Sequence, residues 1–316
     1  MYKNEQSDPS GELSVEAPPL DGDVPTRSLP PFLILTFLMA WGFIALLVVM
    51  PAPLERVLGP PRSSHPFFVL AVWAPALVAL ALVRRTGGRG AVRRYLSRLL
   101  LWRAPAGWYA FLVLGIPALF FAGAALGGSL SGVLEHSSPG ALLQTMALMA
   151  VLGPVEELGW RGLALPLLQR WMAPLWAGGL LGLIWSVWHL PAFLLSGTPQ
   201  GGWDFMPFFL GTTAVSVILT GLFNRSRGSI LIAALFHYQL INPLWPDAQP
   251  YDMYLFVGVA AAVAWLHRNS MLDRRAGVTD VVPPSRSSPN VTVPPTRSRS
   301  SQVRVPVASA THAGTL

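Results

Sequence analysis

The sequence lacks cysteine altogether, and charge is scarce. Without a thiol the chain cannot form a disulfide, a thiolate zinc site, an iron–sulfur cluster or a cysteine nucleophile. Only 12% of the 316 residues are charged, whereas a soluble domain carries about a quarter. Lys3 is the only lysine, so the net charge of +7 comes almost wholly from arginine. This composition argues against a soluble globular protein.

Apolar residues, in contrast, are abundant and occur in long runs. They make up 52% of the chain, and the mean hydropathy is +0.48. Uncharged stretches of about 20 residues recur, each long enough to cross a bilayer as a helix. We therefore predict an all-α polytopic membrane protein with about eight transmembrane helices. The predicted spans are 31–50, 66–83, 106–126, 141–171, 174–195, 205–223, 229–244 and 251–267.

The distribution of arginine between the predicted spans gives the orientation. The segments after the second, fourth, sixth and eighth spans are rich in arginine, and the opposite set holds only Arg56 and Arg62. Cytoplasmic loops carry the excess of positive charge. Both termini are therefore predicted to be cytoplasmic. The arginines of the rich set are Arg84, Arg85, Arg89, Arg93, Arg94, Arg98, Arg103, Arg170, Arg225, Arg227, Arg268, Arg274 and Arg275.

Two polar regions flank the transmembrane domain predicted for residues 31–269. Residues 1–30 hold six of the 15 acidic residues and several prolines, with no apolar run. Residues 270–316 are basic and rich in proline and serine. Such compositions cannot bury a core, so we predict disordered cytoplasmic tails. We expect the bilayer as a partner and no specific nucleic acid.

Glu156 and Glu157 are the only acidic residues inside an apolar span. Inserting each at mid-membrane costs on the order of 3 kcal/mol, so a compensating interaction is needed. Glu157 and Arg161 are four residues apart, which predicts an ion pair on one helix face. Glu156 lies about 100° around the helix and has no partner nearby in the sequence.

Two histidines, His189 and His237, also fall within predicted spans. Glu156 and His189 are both about 25 Å from the turn between the fourth and fifth spans, at 1.5 Å per helical residue, so they can meet. His237 fits less well, because the same rise puts it roughly 13 Å from the preceding turn. The many tryptophans are interpreted as packing or interfacial residues.

A carboxylate and imidazoles in a partly dry pocket can act as a general base toward water. If water attacks a carbonyl, hydrogen-bond donors are needed for the oxyanion, each worth roughly 10²- to 10³-fold in rate. His237 and a nearby amide are suited to that role.

At these residues the sequence resembles the intramembrane glutamate proteases that include the type II CAAX prenyl endopeptidases and the bacteriocin-processing (CPBP) proteins. The first motif, Glu-Glu-x-x-x-Arg, matches Glu156 to Arg161. The second, Phe-x-x-x-His, matches with Trp185 in place of phenylalanine and ends at His189. The third, His-x-x-x-Asn, begins at His237, but its asparagine comes one position late, at Asn242. The resemblance covers about 141–244, which we predict to be the protease core.

The resemblance implies an endopeptidase that cuts membrane-associated proteins or peptides, in the inner membrane if the protein is bacterial. Glu156 and His189 would activate water, His237 and Asn242 would stabilise the oxyanion, and Glu157 with Arg161 would form the supporting ion pair. On an unbroken helix Asn242 would point about 140° from His237. However, Pro243 disfavours helix at Asn242 and can let its side chain turn inward. Gln239 is a poorer substitute.

Three alternatives remain open from the sequence. Glu156, His189 and His237 could bind zinc as in a catalytic metal site, although we favour a mechanism without a cofactor. A non-catalytic immunity or adaptor protein could use the same scaffold, but it would be expected to have lost Glu156 or His189. A transporter also uses buried carboxylates and histidines, but it would usually show an internal repeat.

Overall fold

The computed structural model describes residues 23–130 and 138–284. Within these ranges every regular element is helical, and no strand is present. A helix satisfies its backbone hydrogen bonds within its own segment, which a bilayer requires. The predicted all-α fold class is confirmed.

The α-helices are interrupted by two π-helical turns. These turns are Phe111–Gly115 and Trp160–Ala164, and each lies directly between two α-helices. The helices in chain order are α1 (Leu29–Val49), α2 (Pro51–Leu58), α3 (Pro66–Leu96), α4 (Ala106–Ala110), α5 (Ile116–Gly127), α6 (Pro139–Gly159), α7 (Leu165–Gln169), α8 (Pro174–Trp188), α9 (Phe205–Arg225), α10 (Ile230–Leu240), α11 (Tyr251–Leu266) and α12 (Arg268–Met271).

In the described part of the chain, six helical segments are long and apolar enough to cross a membrane. They are Thr26–Val49, Pro66–Leu100, Ala106–Gly127, Pro139–Gln169, Pro174–Leu194 and Phe205–Arg225. The last two predicted spans correspond to the shorter apolar helices α10 and α11. All eight predicted segments are therefore helical, and six have the length of a full span. Exposed apolar side chains such as Leu38 of α1, which is 67% exposed, suit contact with lipid.

Two boundaries differ from the sequence prediction. Helix α3 continues to Leu96, past the predicted end of its span at residue 83. It breaks only at Gly87 and Gly88, where the φ of +63° at Gly88 is one that glycine adopts without strain. Most arginines predicted to lie in the following loop are therefore helical, because the end of an apolar run need not end the helix. Helix α10 ends at Leu240 rather than at residue 244, as the effect of Pro243 on the preceding residue predicts.

Helix α6, which carries both glutamates, packs between α3 and α10, while α8 packs against α9 and α9 against α11. Gly159 allows the close approach of α6 to α3. A Cβ atom at this position would lie 2.4 Å from Cβ of Pro75. The backbone carrying Glu156 and Glu157 is therefore held directly against α3.

One end of the bundle, here called the arginine-rich end, contains Asp23, Arg98, Arg170 and residues 278–282. Arg98 was predicted to lie in a loop, but it is only 2% exposed. Its Nε donates to the carbonyl of Gly228 at 2.9 Å, and its Nη1 donates to the carbonyls of Gly162 at 2.8 Å and Val281 at 3.0 Å. Arg98 thus joins three separate segments of the chain.

Parts of both predicted tails belong to this end. Asp23 forms an ion pair with Arg170 at 2.6 Å and accepts a hydrogen bond from the backbone of Val282 at 2.8 Å. Val281 and Val282 are buried. Residues 23–30 and 270–284, which the sequence prediction assigned to the tails, therefore include folded structure. The rest of the predicted tails, 1–22 and 285–316, lies outside the described residues.

The other end, here called the loop end, contains residues 59–65, 195–204 and 241–250. Trp203 donates through Nε1 to Oδ2 of Asp247 at 3.2 Å. Gly197 lies so close to the backbone of Pro61 that a Cβ atom there would come within 2.1 Å of the carbonyl oxygen. Helices α3, α8 and α9 each run between the two ends.

Candidate active site

Glu156 and Glu157 lie in the last turn of α6, immediately before the π-helical turn Trp160–Ala164. Their exposed fractions are 3% and 0%. Consecutive residues of a helix point in directions about 100° apart, so the two carboxylates face different surroundings. π-helical turns are frequent at functional sites.

Glu157 accepts hydrogen bonds from two basic side chains through the same oxygen. Its Oε1 lies 3.2 Å from Nη1 of Arg161 and 2.7 Å from Nδ1 of His237. The ion pair with Arg161 agrees with the four-residue spacing. The contact with His237, 80 residues further along the chain, was not predicted. An ionised carboxylate can only accept, so Nδ1 of His237 carries a proton.

Glu156 accepts hydrogen bonds from two tryptophans, neither of which had a predicted site role. Its Oε2 lies 2.8 Å from Nε1 of Trp185 and 3.2 Å from Nε1 of Trp160. Within the described residues its second oxygen, Oε1, has no protein hydrogen-bond partner. The signal for Trp160 was present in the sequence, because it lies four residues after Glu156 on the same helix face. Trp185 could not be assigned in this way, since its contact is tertiary.

His189 lies where α8 ends and is held by the last turn of that helix. Its Nδ1 is 2.8 Å from the carbonyl oxygen of Trp185, so this nitrogen donates and carries a proton. The rings of Trp188 and Phe208 pack edge-on against it, with centroids 4.8 and 5.1 Å away. The remaining nitrogen, Nε2, is therefore a lone-pair acceptor in the neutral imidazole.

Gly153 of α6 allows His237 of α10 to approach closely. A Cβ atom on Gly153 would lie 2.7 Å from Cδ2 and Nε2 of His237 and 2.5 Å from Cδ1 of Ile241. Any larger residue would push the imidazole away from Glu157. The structure thus brings His237 into contact with Glu157, although the sequence placed the two at different distances from their turns.

Asn242 follows the end of α10 and forms a local turn. Its Nδ2 donates to Oε1 of Gln239 at 3.0 Å, and its Oδ1 accepts from the backbone N–H of Leu244 at 3.0 Å. Gln239 in turn donates to the carbonyl of Leu112 at 2.8 Å. One N–H of the Asn242 amide is thus used locally, and the second is left for another acceptor.

One cavity of about 400 Å³ collects the predicted catalytic residues. Glu156, His189, His237 and Asn242 all line it, together with apolar side chains of α1 and α3 such as Ile44. No lysine or arginine lines this cavity in the described residues. The structure therefore brings together residues from three segments that are distant in the sequence.

Known proteins match the segment of the chain that carries Glu156 and the two histidines of the cavity. Residues 137–240 match the family model described as Type II CAAX prenyl endopeptidase Rce1-like. Over 137 residues the chain is 31% identical to CAAX prenyl protease 2 of Methanococcus maripaludis, covering 42% of this chain and 48% of that relative. The resemblance drawn from the three motifs is confirmed. The chain spans about half the length of the curated relative that it matches.

The proposed zinc ligands do not form a metal site as they are arranged. Glu156, His189 and His237 line one cavity, but residues 23–130 and 138–284 contain no group of three His, Asp or Glu side chains placed to hold a metal ion. Nδ1 of His237 is hydrogen-bonded to Glu157, and Nδ1 of His189 is hydrogen-bonded to a carbonyl, so Nε2 is the nitrogen that each ring has left for a ligand.

Proposed function

We propose that this protein is an intramembrane endopeptidase that hydrolyses a peptide bond in membrane-associated peptides or proteins. One observation carries the proposal: Glu156, His189 and His237 line a single cavity among membrane helices. The family match over residues 137–240 supports it, because that segment contains all three side chains. The relative is named a prenyl protease, but a prenyl group on the substrate is not part of this proposal.

Glu156 and His189 activate the attacking water. The two indole N–H groups hold Oε2 of Glu156, which leaves Oε1 to accept a proton from water. Nε2 of His189, which is an acceptor in the tautomer set by the Trp185 carbonyl, orients the second water hydrogen. A positioned base of this kind contributes about 10²- to 10⁴-fold in rate.

His237 and Asn242 stabilise the oxyanion that forms as water attacks. Glu157 fixes the proton of His237 on Nδ1, so Nε2 donates when the ring is an imidazolium. The free N–H of Asn242 supplies a second donor. A C–O bond forms, the peptide C–N bond breaks, and Glu156 passes the proton from water to the leaving nitrogen. The products are a carboxylic acid and an amine, with one water consumed.

The test compares peptide termini in membranes and medium from cells that express wild type or Glu156→Ala. The wild type should generate new termini that Glu156→Ala does not. Glu55→Ala is the matched control, because Glu55 lies on the exposed helix α2 and does not line the cavity. Identical termini in the wild type and Glu156→Ala would end the protease proposal and favour a non-catalytic adaptor.

We also propose that both termini are cytoplasmic, so that the arginine-rich end faces the cytoplasm and the loop end faces the other side. The absence of native cysteine makes this directly testable. Ser97→Cys lies exposed at the arginine-rich end, and Ser64→Cys lies exposed at the loop end. A membrane-impermeant maleimide added to intact cells should label only Ser64→Cys. Labelling of Ser97→Cys alone would reverse the orientation.

A further inference from the structure

The cavity has a second polar wall that the proposed hydrolysis does not use. This loop-end wall consists of Gln200, Trp203, Trp245, Asp247 and Asp252, all of which line the same cavity as Glu156. Asp252 lies in the first turn of α11, and the other four belong to the loops of the loop end. The wall therefore lines the cavity at the loop end.

Several buried polar atoms of this wall have no hydrogen-bond partner. Asp252 is only 2% exposed, and its Oδ1 is unpaired. Nε1 of Trp245 and Oε1 of Gln200 are likewise buried and unpaired. Leaving a buried polar group unsatisfied is unfavourable. The unpaired oxygens of Asp252 and Gln200 can accept hydrogen bonds from a cationic ligand, whereas Nε1 of Trp245 can only donate.

The charge of the wall is acidic and is not neutralised by a basic side chain. Asp247 accepts hydrogen bonds from Nε1 of Trp203 and from the backbone of Gln249, both at 3.2 Å and both uncharged donors. No ion pair involves Asp247 or Asp252 within the described residues. The arginines at this end, Arg56 and Arg62, do not line the cavity.

The two tryptophan rings of the wall also favour a positively charged ligand. Trp203 stacks near Phe208 with centroids 6.2 Å apart, and Trp245 packs edge-on against Phe121 at 6.3 Å. Tryptophan attracts cations to the face of its ring. Acidic side chains beside tryptophan rings are a suitable environment for an ammonium or guanidinium group.

We propose that the loop-end wall is a subsite for a positively charged group of the substrate, namely a lysine or arginine side chain or a free amino group near the scissile bond. This inference rests on the proposed endopeptidase function, because it assigns the substrate class of the same cavity. A carboxylate at that position is repelled by Asp247 and Asp252. Peptides with a cationic residue beside an apolar stretch are therefore preferred over peptides with an acidic residue there.

The test measures binding without cleavage. The Glu156→Gln protein is placed in nanodiscs of uncharged lipid, and two fluorescent decapeptides are titrated by anisotropy, one alternating leucine with lysine and the other alternating leucine with glutamate. The lysine peptide should bind at least ten-fold more tightly. Asp252→Asn, added to the same background, should lower that preference at least three-fold. If Asp252→Asn does not fold, Asp247→Asn replaces it, because Asp247 is exposed, and the same loss of preference is expected.

Glu55→Gln is the control, because it removes an exposed acid that does not line the cavity. It should leave the preference unchanged. Equal binding of both peptides, or a preference that Glu55→Gln lowers as much as Asp252→Asn does, would overturn the subsite. The comparison of cellular termini is independent of this result. New termini that depend on Glu156, together with no charge preference, would therefore remove the subsite but keep the protease.

Discussion

The arginine-rich end and the cavity differ in how far their buried polar groups are paired. At the arginine-rich end Arg98 donates three hydrogen bonds to carbonyls and leaves only Nη2 unpaired, and Asp23 pairs with Arg170. In the cavity, Oδ1 of Asp252 and Nε1 of Trp188 have no partner among the described residues. Paired buried polar groups hold a fold together, whereas unpaired ones are found where a ligand, a water molecule or a catalytic role accounts for them. We therefore expect changes at the arginine-rich end to affect mainly stability and changes in the cavity to affect mainly activity.

Replacing Arg98 by leucine should have the largest effect on stability. It leaves three buried carbonyls without their donor, at about 1–3 kcal/mol each. We expect a large loss of folded protein and a clearly lower unfolding temperature in detergent, with the cleavage rate per folded molecule unchanged. Arg89→Leu is the control, because Arg89 is exposed on α3, shortly before the turn Ser97–Leu100 that carries Arg98. If both variants unfold at the same temperature, Arg98 does not stabilise this end.

Gly153→Ala should do the reverse and damage function more than stability. The added methyl would lie 2.7 Å from the ring of His237, so the imidazole must move away from Glu157. We expect the cleavage rate to fall about 10- to 100-fold, which approaches the effect of removing one hydrogen-bond donor to the oxyanion. The control is Gly179→Ala on α8, where nothing lies within 4 Å of an added Cβ. Full activity of Gly153→Ala would show that the position of His237 is not critical.

The smallest effect concerns Asp23. Burial raises the pKa of its carboxyl above the ordinary value of 3.8, although Arg170 and the backbone N–H groups of Val282 and Val24 oppose the shift. A raised pKa in the folded state gives a contribution to stability that is full below pH 3.8 and is lost as pH rises through the folded-state pKa. The unfolding temperature of the wild type should therefore fall slightly over that window relative to Asp23→Asn. If the unfolding temperatures of the two proteins change with pH in the same way, the pKa of Asp23 is not raised.

Features set by neighbours in the sequence were predictable. Long apolar runs predicted the helices, and the four-residue spacing predicted the Glu157–Arg161 pair. The predicted end of the seventh span at residue 244 was wrong, although Pro243 disfavours helix at Asn242. These depend on local geometry or on transfer into lipid, and both can be read from consecutive residues.

Features set by packing were not predictable. Trp185 and His237 contact the glutamates from other helices, at separations of 29 and 80 residues. The sequence predicts a loop at Arg98, because nothing near it in the sequence shows that the carbonyl groups of Gly228 and Val281 accept its hydrogen bonds. The three motifs indicated which residues meet, but not which hydrogen bonds join them.

We propose that Glu156 and His189 act on one water molecule, and a double-mutant cycle measures whether the two side chains act as a unit. Once a substrate has been identified from the new termini, kcat/KM is measured for the wild type, Glu156→Gln, His189→Ala and the double variant. Each single change should lower kcat/KM by about 10²- to 10⁴-fold, and the double variant should be no slower than the slower single variant, because groups that act as a unit are not additive. Wild-type rates in either single variant, or losses that multiply in the double variant, would contradict the account.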